Sequence, residues 1–572
     1  MMSWKRVVTL ALLGTRAAKA QKCTFDSITP SRDLVWCACE GQFFCAKLDV
    51  PLDYQKPDLG RAAIALVKLP AASESPDGEY RGMILINPGG PGASGVELAL
   101  YNGSTIQSVA GSNYDVVGFD PRGVGLTEPR PNCSAGILLP RDGDLSQRDA
   151  PRFVDRYYQE FIDFGKELGE RCQAQAGADT EAGPHMTSAV TARDMVSVVD
   201  AFAATPDGER AALNSSLLNY YGISYGTFLG QTFASMFPDR VGHLAIDGQV
   251  SPEGFQSNFT SNSVNHIDGV FGAFFVYCHA AGPACTYYSG STAMDIFERW
   301  NASFVRLQAR RAEDEGWSNA TEIASALETL KYVILDAAVG PVGGFVRAAD
   351  AFVDLEKALA SGSLSTWTEN TNLVFNFRGI EGYSSGNPEQ SLGVMCSDQS
   401  NVLYGKSLED IQPLILDLQD QSIVGDIWTT AMLGCLGWPI KSDDVFRGPY
   451  GGNTSHPLLF ISNTFDPTTP IDNAIASIPN YANARSLTVD NMGVSRRISQ
   501  TRCLRADFFK HSVAASGANF CAYGAIRSYF QDTMCGKEHY CPVETGPFGV
   551  LLNGTIQQNL ETAGLSNLRS LY

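Results

Sequence analysis

Tyr220-Tyr221-Gly222-Ile223-Ser224-Tyr225-Gly226-Thr227 decides the fold. Apolar Leu217, Leu218, Tyr220 and Tyr221 precede the serine, and residues 227–237 follow with helical spacing until Pro238 stops them. The stretch therefore reads as strand, sharp turn and helix. Ser224 stands at the tip of a G-x-S-x-G turn. The two glycines let strand and helix backbones crowd together, so that a strained serine presents its hydroxyl beyond the carboxyl edge of a sheet. In a chain with 55 glycines the pentapeptide alone is a weak sign, and an ordinary serine in a glycine-rich turn is the competing reading until partners are found.

Upstream, residues 63–69, 83–87 and 114–119 are apolar, β-branched or aromatic runs closed by Pro or Gly, and read as strands. The second runs into Asn87-Pro-Gly-Gly-Pro-Gly-Ala-Ser-Gly95, a loop whose amides can approach a ligand closely. An oxyanion hole belongs there, because donors fixed around a carbonyl oxygen stabilise the charge it gains during acyl transfer. The second donor is expected from the amide of Tyr225, just after the nucleophile. A phosphate-binding loop is the rival, but no G-K-[ST] follows. The third strand enters Asp120-Pro-Arg-Gly-Val-Gly-Leu-Thr127, a tight turn expected to buttress the site. Helical patterns follow at 153–171 and 191–203.

Beyond the turn at Ser224, residues 241–247 form a strand, and from 251 to about 438 helical patterns take over, clearest at 293–312, 321–338 and 345–360. An inserted helical cap over the carboxyl edge would restrict substrate size and exclude water. Strands resume at 457–463 and 484–490. The first is followed by Thr464-Phe465-Asp466-Pro467-Thr468-Thr469-Pro470, which puts an acid where the third member of a Ser-acid-His triad sits; an Asx-Pro turn is the plainer alternative. Chain order then selects the base. Of seven histidines only His511 and His539 follow Asp466. His539 is hemmed between Cys535 and Cys541, whereas His511 precedes the helical stretch 522–530 and is the better candidate.

The chain of 572 residues, 44% hydrophobic, can bury a large core, and its net charge of -19 argues against a nucleic-acid partner. Residues 1–20 carry Lys5, Arg6, a short apolar run and Ala18-Lys19-Ala20, the pattern of a signal peptide cut after Ala20. No later run is long enough for a membrane anchor, so secretion is expected. Eight N-x-[ST] sequons, at Asn102, Asn132, Asn214, Asn258, Asn301, Asn319, Asn453 and Asn553, and fourteen cysteines agree with this. The cysteine spacings lack a zinc pattern, so disulfides are expected, with Cys133–Cys172, Cys278–Cys285 and Cys396–Cys435 as the pairs ventured. No metal or cofactor is expected.

Taken together, Val50-Pro-Leu-Asp-Tyr54, Asn87-Pro-Gly-Gly-Pro-Gly92, Asp120-Pro-Arg-Gly-Val-Gly125, Gly222-Ile-Ser-Tyr-Gly226 and Asp466-Pro-Thr-Thr-Pro470 resemble the secreted tripeptidyl-aminopeptidase-like and prolyl-aminopeptidase-like branch of the α/β-hydrolases. The resemblance covers roughly residues 37–545. It implies an α/β-hydrolase fold, a mostly parallel central sheet flanked by helices, with the core in 21–250 and 441–572 and a cap in 251–440. It further implies Ser224 as nucleophile, Asp466 as the orienting acid, His511 as base, and Gly90 with Tyr225 as oxyanion donors. Acidic groups in the cap would hold a substrate's free amine, with Asp398 the weak candidate. The activity implied is release of residues or short peptides from free N-termini. An esterase or amidase acting on a small metabolite, and a non-catalytic glycosylated binding protein, remain the alternatives.

One departure stands out. The family places Gly-His directly after its last strand, whereas here Gly493 and His511 are separated by seventeen residues, VSRRISQTRCLRADFFK. This stretch, 494–510, carries four arginines and one lysine against one aspartate in an otherwise acidic chain, and shows neither strand nor helix periodicity. It reads as a translated intron. Val-Ser can be encoded by a donor-like GTAAGT, Ala-Asp can contain a branch-like CTGAC, Phe-Phe supplies pyrimidines and Lys can end in AG. Seventeen codons preserve the reading frame, and their removal joins Gly493 to His511. A basic surface loop is the alternative, since loop closure costs rise slowly with length.

Overall fold

A computed structural model describes residues 22–135, 153–257, 263–313, 320–371, 387–493, 519–544 and 546–568. Ten strands form one sheet: β1 (Cys37–Ala38), β2 (Phe44–Pro51), β3 (Arg61–Leu69), β4 (Gly82–Asn87), β5 (Tyr114–Phe119), β6 (Leu218–Ile223), β7 (Val241–Asp247), β8 (Leu459–Phe465), β9 (Arg485–Met492) and β10 (Glu538–Cys541). Their order across the sheet is β1-β2-β3-β5-β4-β6-β7-β8-β9-β10. Pairings from β1 to β5 are antiparallel. From β5 through β4 to β10 all are parallel. Parallel strands are covered on both faces and so read as continuous apolar runs; β4, β5, β6 and β7 are buried at every residue.

Because these strands run the same way, the residues after β4, β5, β6, β7, β8 and β9 all emerge at one edge. Asn87, Asp120, Ser224, Asp247, Asp466 and Gly493 gather there from positions far apart in sequence. One sheet face is covered by helices Gly95–Ala110 and Phe520–Phe530, the other by Ser188–Ala203, Tyr225–Met236 and the helices between β7 and β8.

The strands expected from the sequence are present with small shifts of boundary, and β2 is an additional strand. It pairs with β3 along its whole length, from Phe44 opposite Lys68 to Pro51 opposite Arg61. Among the described residues no sheet strand lies between β7 and β8. That interval holds helices Ile267–Ala281, Ala293–Glu313, Ala320–Val339, Pro341–Ser361, Pro388–Asp398 and Leu408–Gln421. Several of their aromatic pairs are edge-on, as ring quadrupoles favour: Phe271 meets Trp300 at 4.9 Å, and Phe274 meets Phe352 at 5.4 Å and Phe345 at 5.5 Å.

All three ventured disulfides are present. Cys23–Cys37 and Cys39–Cys45 clamp the antiparallel end of the sheet, and Cys521–Cys541 ties helix Phe520–Phe530 to β10. Cys535 is a free, exposed thiol. The expected signal peptide at 1–20, the sequons at Asn258 and Asn319, Cys503 and the whole of 494–518 lie outside the described residues. Among the described helices none is long and apolar enough to cross a membrane.

Two of the quoted motifs are bolted together far from each other in sequence. Arg122, only 2% exposed, makes a fork of two 2.7 Å bonds to the Asp194 carboxylate and donates to the carbonyls of Pro51 and Leu52. Tyr54 donates to the same Asp194 at 2.8 Å. The Val50–Tyr54 and Asp120–Gly125 stretches thus share one buried ion pair. Removing one partner strands the other charge, whereas replacing both with apolar side chains does not. Arg122→Met is expected to cost about 3–5 kcal/mol in urea denaturation, and Arg122→Met with Asp194→Leu to recover most of it; equal losses in both proteins would contradict this account.

Candidate active site

Ser224 is the residue between β6 and helix Tyr225–Met236, with φ 56° and ψ -123°. A non-glycine residue there is strained by roughly 1–3 kcal/mol and persists only if its surroundings hold it. They do: the Ser224 amide donates to the Asp247 carbonyl at 3.0 Å. The Ser224 carbonyl accepts from the Thr227 amide at 2.8 Å and the Thr227 hydroxyl at 2.6 Å. A Cβ on Gly222 would lie 2.4 Å from the Gly226 carbonyl oxygen, and one on Gly226 would lie 2.9 Å from the Asn87 oxygen. The G-x-S-x-G spacing is therefore a packing requirement on both glycines.

The glycine-rich loop sits directly on this turn. Gly89, at φ +92°, lies so close that a Cβ would be 2.4 Å from the Ile223 carbonyl oxygen, 2.9 Å from the Tyr225 amide and 3.0 Å from the Ser224 Cβ. The next residue, Gly90, also has a positive φ, +112°. The amides of Gly90 and Tyr225 are the two expected to bind an oxyanion. Asp120 fastens the loop from beneath, accepting from the Ser94 hydroxyl at 2.6 Å, the Val96 amide at 3.1 Å and the Leu126 amide at 2.8 Å. The turn at 120–127 is the expected buttress, and burial pushes the Asp120 carboxyl up to about 6.

Asp466 is fully buried just past β8. Its Oδ1 accepts from the Thr469 amide at 2.8 Å and the Thr468 amide at 3.0 Å, an Asx turn that fixes the carboxylate plane. Its Oδ2 stands 3.7 Å from where a Gly248 Cβ would be, against the end of the strand next to Ser224. The Asx-Pro alternative and the acid reading thus describe the same residue: the turn holds the acid at the shared edge. Asp247, a second acid at that edge, accepts from the Tyr221 hydroxyl at 2.7 Å. Gly493 follows β9 beside Asp466, its amide bonded to the Phe465 carbonyl at 3.1 Å and its carbonyl accepting from the Asn463 side-chain amide at 2.9 Å. His511 lies outside the described residues; His539 is on β10, at the outer edge of the sheet.

Helix Pro388–Asp398 roofs the site. Ser391 donates to the Pro91 carbonyl at 2.7 Å, and Gln390 accepts from the Gly125 amide at 3.3 Å. Glu389, beside them, is wholly buried, with Oε1 3.5 Å from the Ser134 amide and Oε2 without a hydrogen-bond partner among the described residues. Asp398, the cap acid nominated from sequence, is differently placed. Both its oxygens are occupied by Ser188, the amide at 2.8 Å and the hydroxyl at 2.7 Å, and burial pushes its carboxyl up to about 7. Glu389 was missed because sequence does not distinguish a satisfied buried acid from an unsatisfied one.

Residues 82–323 match the model of the alpha/beta hydrolase fold, and residues 421–511 match the TAP-like protein model. The chain is an α/β-hydrolase with a TAP-like segment. It is similar to serine protease Hip1 of Mycobacterium tuberculosis, 27% identical over 464 residues, covering 79% of this chain and 81% of that one. It is similar too to tripeptidyl aminopeptidase of Streptomyces lividans, 25% identical over 516 residues, covering 86% and 84%. Carboxylesterase B of Mycobacterium tuberculosis is 24% identical over 513 residues, covering 85% and 84%. The α/β-hydrolase described here is accordingly a serine hydrolase related to peptidases.

Raised carboxyls such as those of Asp120 and Asp398 make stability depend on pH. A carboxyl whose folded value exceeds its unfolded value binds its proton more tightly when folded. The stability it lends is whole below about pH 4 and is lost as pH rises through the folded value, about 7 for Asp398. Asp398→Asn removes the titration, so its melting temperature relative to wild type is expected to rise between pH 5 and pH 8; a difference that stays constant or falls would contradict the assignment.

Proposed function

We propose that this α/β-hydrolase is a secreted serine exopeptidase that releases residues or short peptides from free N-termini. The observation that supports the reading is the seating of Gly89 on Ile223, Ser224 and Tyr225, at the sheet edge where β8 delivers Asp466. Ser224 attacks the peptide carbonyl, and His511 takes the hydroxyl proton and delivers it to the leaving amine. Asp466 holds the imidazole, and the amides of Gly90 and Tyr225 take the oxyanion. The TAP-like match closes on His511, which favours that histidine as base. Gly493 beside Asp466 favours it further: with 494–510 absent, His511 would follow Gly493 directly. The reaction as written draws on no cofactor. Twelve paired cysteines support an oxidising, extracellular setting.

Glu389 replaces Asp398 as the candidate anchor for the substrate amine. A buried carboxylate oxygen with no partner is costly, and an ammonium group offers the missing donor and opposite charge. The second reading, ester hydrolysis, draws on the likeness to a carboxylesterase, and the triad chemistry alone does not choose the leaving group.

Ser224→Ala is expected to fold and to retain only about 1000-fold acceleration over water, and Asp466→Asn to lose about 10,000-fold in kcat; near wild-type turnover in either removes that residue from the mechanism. Glu389→Gln is expected to raise KM by 10-fold or more, roughly, for peptidyl anilides with a free amine and to leave N-acylated esters unaffected, as suits a lost charge-assisted bond. Preference of the wild-type protein for simple esters over free-amine anilides would favour the esterase reading.

A further inference from the structure

Three helix ends meet behind Ser224. Asp398 is the last residue of the roof helix Pro388–Asp398, Ser188 the first residue of helix Ser188–Ala203, and Tyr225 the first residue of the helix that follows Ser224. All three are buried, at 3%, 1% and 3% exposure. The Ser188 hydroxyl lies 2.7 Å from Asp398 Oδ2 and 2.5 Å from the Tyr225 hydroxyl, while the Ser188 amide lies 2.8 Å from Asp398 Oδ1. The Ser188 hydroxyl gives its single proton to Asp398 Oδ2, so the Tyr225 hydroxyl must donate to Ser188. The chain of donors therefore runs one way, from Tyr225 through Ser188 to Asp398.

We propose that Asp398 is a positioning residue which, through Ser188, ties the seating of the cap to the orientation of Tyr225 and hence of its oxyanion-binding amide. The inference rests on the reading of the Tyr225 amide as an oxyanion donor. Tyr225 needs such an anchor because its backbone leaves a strained Ser224, and its ring is otherwise held by packing, 5.6 Å from Phe255 and 6.0 Å from Phe228 between centroids. Asp398 in turn cannot drift: Cys396, two residues earlier, is bonded to Cys435, and a Cβ on Gly393 would lie 2.6 Å from Met186. The carboxylate also faces the start of helix Ser188–Ala203, where helix amides favour negative charge. The other titratable group coupled to Asp398 is Tyr450, a phenol whose ionisation burial holds far above neutral pH. A cap lifted at this end would remove Asp398 from Ser188 and leave Tyr225 without its fixed acceptor.

The test compares Tyr225→Phe, Asp398→Asn and the double variant with wild type, each normalised to the fraction labelled at Ser224 by a fluorophosphonate so that unfolded protein is not counted. The expected result is a fall in kcat of about 10-fold in each single variant with KM unchanged, a fraction of the 100- to 1000-fold that losing an oxyanion donor costs. The double variant is expected to be no worse than either single, because the residues act in one chain. A kcat per labelled site within about twofold of wild type in Tyr225→Phe, or losses that multiply in the double variant, overturns the proposal. Tyr225→Phe deletes one atom and carries the test if Asp398→Asn does not fold. Failure of wild type itself to label at Ser224 would instead overturn the hydrolase mechanism.

Discussion

The whole site depends on one close approach: the backbone of Gly89 against the carbonyl of Ile223 and the amide of Tyr225, where even a methyl group has no room. That contact requires β4 and β6 to be neighbours, in the register that sets Asn87 opposite Gly222. It also requires glycine at 222 and 226, since strand, turn and helix must cross within van der Waals distance. The strain at Ser224 is held by bonds from β7 and from the first turn of its own helix. A preorganised pair of amides costs nothing to reorient when charge develops, which is why a rigid crossing of this kind suits acyl transfer.

The parts of the fold that were legible in the sequence are those whose signal is local. Strands buried on both faces leave unbroken apolar runs, and β5 and β7 have the boundaries those runs predict. The Ser224 turn, the glycine-rich loop and the Asp466 turn are likewise local, because each demands particular backbone conformations of consecutive residues. The elements that escaped are non-local. β2 is a strand because it pairs with β3, and Cys45 and Val50-Pro51 disguised it. Arg122 looked like part of a turn, and nothing in its neighbours points to Asp194, seventy-two residues on. The cap acids show the same limit: Asp398 attracted notice beside Cys396, yet its oxygens face Ser188, while Glu389 has the unsatisfied oxygen. The proposed base, His511, rests on chain order and on the family resemblance, and its segment lies outside the described residues.

The cap and the catalytic edge form one mechanical unit. The roof helix grips the site at both ends, with Gln390 and Ser391 on the loops at Gly125 and Pro91, and Asp398 on Ser188. The Cys396–Cys435 bond staples that helix to the end of the helical insertion. Substrate entering beneath the roof would meet donors that the roof itself holds in place, so recognition of the substrate and readiness for chemistry share the same contacts. Access, amine binding and oxyanion geometry are then expected to respond together to changes in this helix.

The central claim is that Gly90 and Tyr225 present their amides to a single oxygen on a carbonyl attacked by Ser224. A crystal structure of the protein covalently modified at Ser224 by a fluorophosphonate tests it most directly. The account predicts the phosphoryl oxygen within about 2.7–3.1 Å of both amide nitrogens. An adduct whose oxygen points away from these amides, or a phosphonate on another residue, would contradict it.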